Sequence, residues 1–409
     1  MIKIPRQLNK STVLLFMMLL YSGVGNYFWR ALSILIPISF PVFTGIVWAV
    51  VVLWTFPLFN KRLRAKHVLM YLVAVLICLV QWMIADKSVF SMDILGTLAF
   101  STLPAFFVGV AVETDKKLFA PLYKLSIFVL IVSVAYSFYY LRDRTLSTDN
   151  MDYAYNVLPA ILILTTGIFR QEKRKVSVIF SGVGFAFLLV LGTRGPVLCF
   201  VAFVVLMMIK NIGLTKVSAM AITAGLLFGL FINSQLYTIT LLKLSDTIGN
   251  MGFSTRIIDM LLEENISDGN GRDAIYDRLS NEIKEEPFKI RGAFSDRAST
   301  KGLVDEEYYN SYKNGTYAHN LFLEIFHNYG VVLGGIILLL LLVSIVKLFI
   351  CCKKEADYIA VAAICMGFVQ LLVSGSYLTQ PLFFMMIGLF MNGTIFKAGP
   401  TSKRGYDHV

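Results

Sequence analysis

Residues Val176 to Ile209 read VSVIFSGVGFAFLLVLGTRGPVLCFVAFVVLMMI, an apolar run of 34 residues broken only at Thr193-Arg194-Gly195-Pro196. As one α-helix it would be about 51 Å long at 1.5 Å per residue, far more than a bilayer requires. Gly195-Pro196 supplies a turn with proline at a helix start, so the run predicts two short spanning helices that meet at one membrane face. Arginine at that junction either snorkels to the interface or faces the interior of the bundle as a site residue.

The rest of the 409 residues extends this pattern. Hydrophobic residues make up 57% and charged ones 15%, with a mean hydropathy of +0.70, which excludes a set of soluble domains. Runs able to cross about 30 Å of hydrocarbon fall near residues 12–29, 38–59, 68–84, 94–112, 118–140, 153–169, 176–192, 196–209, 217–236, 331–350, 358–376 and 381–396. The expected fold is therefore an all-α polytopic membrane protein of about 12 transmembrane helices. Residues 1–236 form helices 1–9, 237–330 a large extracytoplasmic loop, and 331–409 helices 10–12 with a cytoplasmic tail. The N-terminal run, preceded by Lys3, Arg6 and Lys10, lacks a convincing small-residue cleavage site and reads as a retained first helix.

Charge sets the orientation. Of 37 Lys+Arg and 26 Asp+Glu, the stretch Tyr237 to Ala318 holds 10 and 14, a net of −4, leaving +15 elsewhere. Seven short segments on one side carry 20 Lys+Arg, whereas the short loops opposite hold Arg30, Lys87, Arg142, Arg144 and Arg194. By the positive-inside rule both termini are cytoplasmic and the long loop faces outward. The excess of +11 thus reports topology, not nucleic-acid binding. Cys78, Cys199, Cys351, Cys352 and Cys365 all lie outside that loop, so no disulfide framework or zinc spacing is read there.

Three features of the outer side could carry chemistry. Ser267-Asp268-Gly269-Asn270-Gly271-Arg272-Asp273 opens a helix marked by Ile275, Leu279 and Ile283 and stopped by Pro287. Free backbone N–H groups there would suit an anion, and an external anion would offset the unfavourable placing of Arg272 in the first turn. The alternative is a solvated arginine paired with Asp268 or Asp273. A calcium loop fails because Leu279 stands where the twelfth-position glutamate belongs. Arg194 is the second feature; its guanidinium can grip phosphate with two parallel hydrogen bonds. The third, Tyr317-Ala318-His319-Asn320 running through Leu323-Glu324 to Asn328-Tyr329-Gly330, places a histidine where polar loop meets membrane. His319 is either a structural polar residue or a proton acceptor. His327, eight residues on and about 80° around the helix, is no zinc partner for it and reads as packed within the span. Tyr308, Tyr309, Tyr312 and Tyr317 could stack on sugar rings or form an interfacial aromatic belt, and the belt is the favoured reading.

Arg194 between two short spans, Gly271-Arg272 in a long outer loop ending at Glu286-Pro287, and His319-Asn320 with Leu323-Glu324 and Gly330 together resemble the O-antigen ligase and polysaccharide polymerase family, over roughly Gly192 to Leu339. Lys289-Ile290-Arg291-Gly292-Ala293-Phe294 departs from the small, glycine-rich stretch such proteins often carry, and adds Arg291 as a further anion contact. The resemblance implies a GT-C-like, metal-independent glycosyltransferase without cofactor, working at the outer face of a bacterial cytoplasmic (inner) membrane. It implies an undecaprenyl-pyrophosphate-linked oligosaccharide donor, a glycan acceptor, surrounding membrane lipid and a chain-length regulator as partners. Arg194 and Arg272 would then hold the pyrophosphate, His319 would orient or deprotonate the acceptor hydroxyl, and Asn320 and Glu324 would support them. Polymerisation of O-antigen or capsule repeat units and ligation to another acceptor share this chemistry; no extra acceptor-docking domain is read, which favours the polymerase. A flippase or other transporter is the competing class, but it would show repeated halves and midplane charges.

Overall fold

The computed structural model describes residues 9–33, 36, 39–84, 89–115, 117–141, 150–171, 173–191, 193–218, 235–250, 272–305, 310–312 and 315–396. Among them, seven helices are long and apolar enough to cross a membrane: Val42–Arg62, Ala65–Met83, Ile94–Ala111, Phe119–Ser137, Met151–Phe169, Arg194–Ile212 and Leu321–Cys351. The chain is thus a multi-pass, all-α membrane protein. Its one sheet among the described residues pairs Leu303–Asp305 with Asn310–Tyr312 antiparallel.

The 34-residue run divides as its Gly-Pro step requires, into α1 (Arg174–Val190) and α2 (Arg194–Ile212). The first apolar run is interrupted by a π turn at Phe16–Leu20. The ninth predicted span lies almost wholly outside the described residues. The eleventh is shorter than its hydropathy suggests: helix Asp357–Ile364 passes through a π turn at Cys365–Val369 and a 3₁₀ turn that ends at Leu372. Val373 to Ser376, read as helix from their apolar setting, therefore form a loop before α3 (Pro381–Met391).

Burial orders the helices from the centre outward. Helix α4 (Asn150–Phe169) is central, with 72% of its spanning window buried, against 22% for Val42–Arg62 and 6% for Ala65–Met83. Those outer helices display large apolar side chains such as Leu53, Leu69 and Met83, which lipid rather than water would cover. Four buried hydroxyls of this phase pair within their own helix: Thr55, Ser126, Thr165 and Thr166 each bond a carbonyl one turn back.

Several segments predicted to share one side are in contact. Lys61 and Arg62 pair with Glu113, Glu113 N–H reaches Ser11, Arg170 bonds the carbonyls of Lys354 and Glu355, and Lys353 N–H bonds Ile395 O. These loops form one basic end of the bundle. The long loop meets the other end.

It is anchored there by a break in α5 (Leu321–Cys351), where Gly330 has φ +71° and ψ 168°. The break frees Asn328 O and Val331 N–H, which a helix would have paired internally. Asn328 O accepts from Arg291 and Gly292 N–H, and Val331 N–H donates to Pro287 O. A Cβ at Gly330 would come within 3.0 Å of Phe288 backbone, so only glycine fits both the φ and the approach.

Candidate functional site

The loop helix α6 (Asp273–Glu285) is amphipathic, and its stripe decides where it sits. Ile275 and Leu279, one turn apart, are fully buried against Ala318, with Leu323 alongside. Ala318 is the residue before His319 and Arg272 is the N-cap residue of α6. Burying that stripe therefore brings the start of the loop helix to the start of α5.

Arg272 spans the bundle end from there. Its Nη1 donates to Val373 O at 2.6 Å, and it has no acidic partner among the described residues: Asp273 is exposed and Asp268 lies outside the described residues, as do Gly269, Asn270 and Gly271. The loop that offers Val373 is tied to α5 by Glu324, which is buried and accepts from Ser376 Oγ and from Tyr377 N–H at 3.4 Å. Glu324 is thus a positioning residue. Asn320 acts similarly as the N-cap of α5, its Oδ1 accepting from Phe322 and Leu323 N–H at 3.0 and 3.2 Å.

His319 precedes that cap with φ +53°, a left-handed conformation that costs a side-chain-bearing residue energy and recurs at functional sites. Its approach is fixed from below, where Ala318 N–H donates to the buried Asp296 and Thr316 exchanges hydrogen bonds with Thr300. Tyr317 lies against the imidazole with ring centroids 4.1 Å apart, so it belongs to the site rather than to an interfacial belt; Tyr312 is in the hairpin, and Tyr308 and Tyr309 lie outside the described residues. Burial, and then the positive charge of Arg272, push the pKa of His319 down to about 3. The ring is neutral near pH 7, and its buried Nδ1 has no hydrogen-bond partner among the described residues.

Arg194 opens α2, half-buried, immediately before Gly195. A Cβ on Gly195 would lie 2.0 Å from Tyr155 Oη and 3.6 Å from Val373 Cγ2, so the turn at Arg194 reaches the same Val373 that Arg272 holds. The turn at Arg194 and the Arg272 side chain thus meet at one loop, and Arg272 lies near enough to His319 for its charge to act on the imidazole. Arg291 does not join them. Its Nη2 donates to Glu282 O at 2.6 Å and lies 3.4 Å from Glu286, closing the C-terminal end of α6. Ten residues of helix, about 15 Å, separate that contact from Arg272.

His327 is also placed differently from its sequence reading. Rather than packing among apolar groups it bonds Ser295 through Nδ1 at 3.1 Å, and Glu282 and Ser299 through Nε2 at 3.0 and 3.3 Å. Burial opposes ionisation of Glu282, but the bonds from His327 and Ser299 hold its carboxyl below the usual range. This cluster clamps α6 and α7 (Ser295–Ser299) onto α5.

Tyr155 and Ser374 are site residues that the sequence did not announce. Ser374 bonds Met151 Sδ at 3.8 Å, and Tyr155 Oη lies buried beside it without a hydrogen bond of good geometry. From Tyr155 a polar cavity of about 380 Å³ continues along α4, lined among others by Asp152, Asn156, Gln370 and Gln380. Carboxamides and a carboxylate within apolar runs are a functional signal in membrane helices, and here they mark that cavity. Among the described residues no three His, Cys, Asp or Glu side chains are grouped to hold a metal ion. Fold and site together define a membrane protein with a cationic, hydroxyl-rich site at one end of its helix bundle. No family model, no curated protein and no solved structure matches the chain.

Proposed function

We propose that the chain is a polysaccharide polymerase that joins undecaprenyl-pyrophosphate-linked oligosaccharide repeat units at the outer face of a bacterial cytoplasmic membrane. The observation that carries this reading is the placing of Arg272 beside a half-buried, neutral His319 whose buried Nδ1 has no partner among the described residues. Arg272 spends one N–H donor on Val373 and keeps the rest of its fork for phosphate; Arg194, opening α2 beside the same loop, supplies a second guanidinium. As the acceptor hydroxyl attacks the anomeric carbon of the donor, a new C–O bond forms and the bond to pyrophosphate breaks. His319 takes the hydroxyl proton, and the two guanidinium groups stabilise the charge growing on the leaving pyrophosphate, in place of a divalent ion. The amide-lined cavity beside Tyr155 offers hydrogen bonds suited to a sugar. With this reading goes a GT-C-like topology of about twelve spans with both termini cytoplasmic, in which the lipid-linked donor reaches the site from the membrane.

The test uses the purified full chain in detergent with a synthetic lipid-pyrophosphate-linked repeat unit and excess chelator. A ladder of lengthened lipid-linked products is expected. Transfer only to an added non-identical acceptor would make it a ligase, and absence of any glycosyl transfer under conditions where the donor binds would overturn the reading.

A further inference from the structure

At the basic end, far from Arg272, a cavity of about 300 Å³ lies between the turn joining helices α8 (Phe40–Arg62) and α9 (Ala65–Ile84) and the C-terminal end of α3. That volume is at the lower limit for small-ligand sites. Lys61, Arg62, Arg64, Lys66 and His67 line it together with Thr394, and no carboxylate does.

The hydrogen-bond inventory of the cavity is one-sided. His67 is 3% exposed, and its Nδ1 accepts from Arg64 N–H at 3.1 Å. An imidazole that accepts at Nδ1 carries its proton on Nε2, and this buried Nε2–H has no partner among the described residues. Arg62 Nε–H is likewise buried without one, while its Nη2 and Lys61 Nζ are held by Glu113, outside the cavity wall, at 2.9 and 2.8 Å. Thr394 Oγ donates to Asn392 Oδ1 at 2.7 Å, and the Asn392 amide is spent on Gly109 O and Val112 O. The groups left over are thus donors and cations. Solvated basic loops need neither an enclosed space nor a buried spare N–H.

We infer that this cavity binds a phosphate group, gripped by His67 Nε2–H, Arg62 Nε–H and the Arg64 and Lys66 side chains. The phosphate can come from an anionic lipid headgroup or from a soluble phosphate. The lipid is the expected source, because α9 is the least buried of the seven spanning helices and α8 shares the next lowest burial with α2 and α5, so a headgroup at the ends of α8 and α9 reaches the opening without leaving the membrane.

The experiment is thermal unfolding of the full-length protein in neutral detergent at fixed ionic strength, titrated with phosphatidylglycerol, phosphatidylcholine or inorganic phosphate. Phosphatidylglycerol should raise Tm in a saturable manner, phosphatidylcholine much less. Arg64→Gln/Lys66→Gln, which alters only exposed side chains, and His67→Phe, which removes the spare donor, should each weaken the midpoint about tenfold or more. Equal stabilisation by inorganic phosphate would assign the site to phosphate as such; stabilisation by the lipid alone would assign it to a headgroup. The inference is overturned if neither phosphatidylglycerol nor inorganic phosphate raises Tm, or if Arg174→Gln/Lys175→Gln, exposed cations elsewhere at this end, weakens the effect as much as the cavity variants do.

Discussion

Arg272 Nη1 lies 2.6 Å from the carbonyl oxygen of Val373, 101 residues further along the chain. That bond joins the long loop to the turn before the last helix, and Glu324 holds the same turn from α5. The cationic group is therefore fixed by two elements that are remote in sequence, as a preorganised anion site requires.

Arg272→Lys should lose most activity although the charge is kept. Lysine cannot bond Val373 O and phosphate in the same planar geometry. A loss of about a hundredfold in polymer formation, corresponding to about 3 kcal/mol, is expected at equal protein level. Wild-type rates for this variant would remove Arg272 from the pyrophosphate role.

His319 combines a chemical and a conformational demand that substitution can separate. His319→Ala and His319→Gly should both slow glycosyl transfer by roughly a hundredfold to ten-thousandfold while donor binding persists. At φ +53° alanine is disfavoured by roughly 1–2 kcal/mol and glycine is not, so the glycine variant should melt at the higher temperature. Measured together, rates and Tm test both demands; intact transfer in either variant would refute the proton-acceptor role.

Acid should weaken the fold through this residue. With a native pKa of about 3 against 6.5, the unfolded chain binds a proton that the folded one refuses throughout that window. Stability contributed by neutral His319 is present above pH 6.5 and falls as pH drops toward 3, by at most about 1.4 kcal/mol per pH unit. Comparing Tm at pH 7 and pH 5, His319→Asn should show a shallower loss than wild type. Identical slopes would show that the ring is not held neutral by burial.

His327→Ala should act on stability before chemistry. It deletes bonds to Ser295, Ser299 and Glu282 in a fully buried position, at a cost of about 3 kcal/mol. Lower Tm with near-normal turnover per folded molecule is expected. A turnover defect as deep as that of His319→Ala, at unchanged Tm, would instead make His327 part of the reaction.

Orientation can be read by thiol labelling in a Cys351→Ser background, since Cys351 is the exposed one of the five cysteines. Asp277→Cys on the exposed side of α6 should react with an impermeant maleimide in intact bacterial spheroplasts, and Arg174→Cys only after permeabilisation. The reverse pattern would turn the protein over in the membrane.

The sequence by itself determined the multi-pass helical class, the division of the 34-residue run, and the amphipathic helix carrying Ile275 and Leu279. These follow from hydropathy, Gly-Pro chemistry and helical period, all of which act over a few residues. It also singled out Arg194, Arg272 and His319. Tertiary structure alone decided that Arg272 and the turn at Arg194 meet at Val373, that Tyr317 packs on His319, and that Arg291 closes a helix end instead. It also decided that His327 anchors the loop through Glu282. The apolar setting of Val373 to Ser376 conceals the turn from hydropathy, because these residues leave the helix to satisfy Arg272 and Glu324. Such pairings depend on which buried polar groups must find each other across the bundle, and spacing along one chain carries no record of that choice.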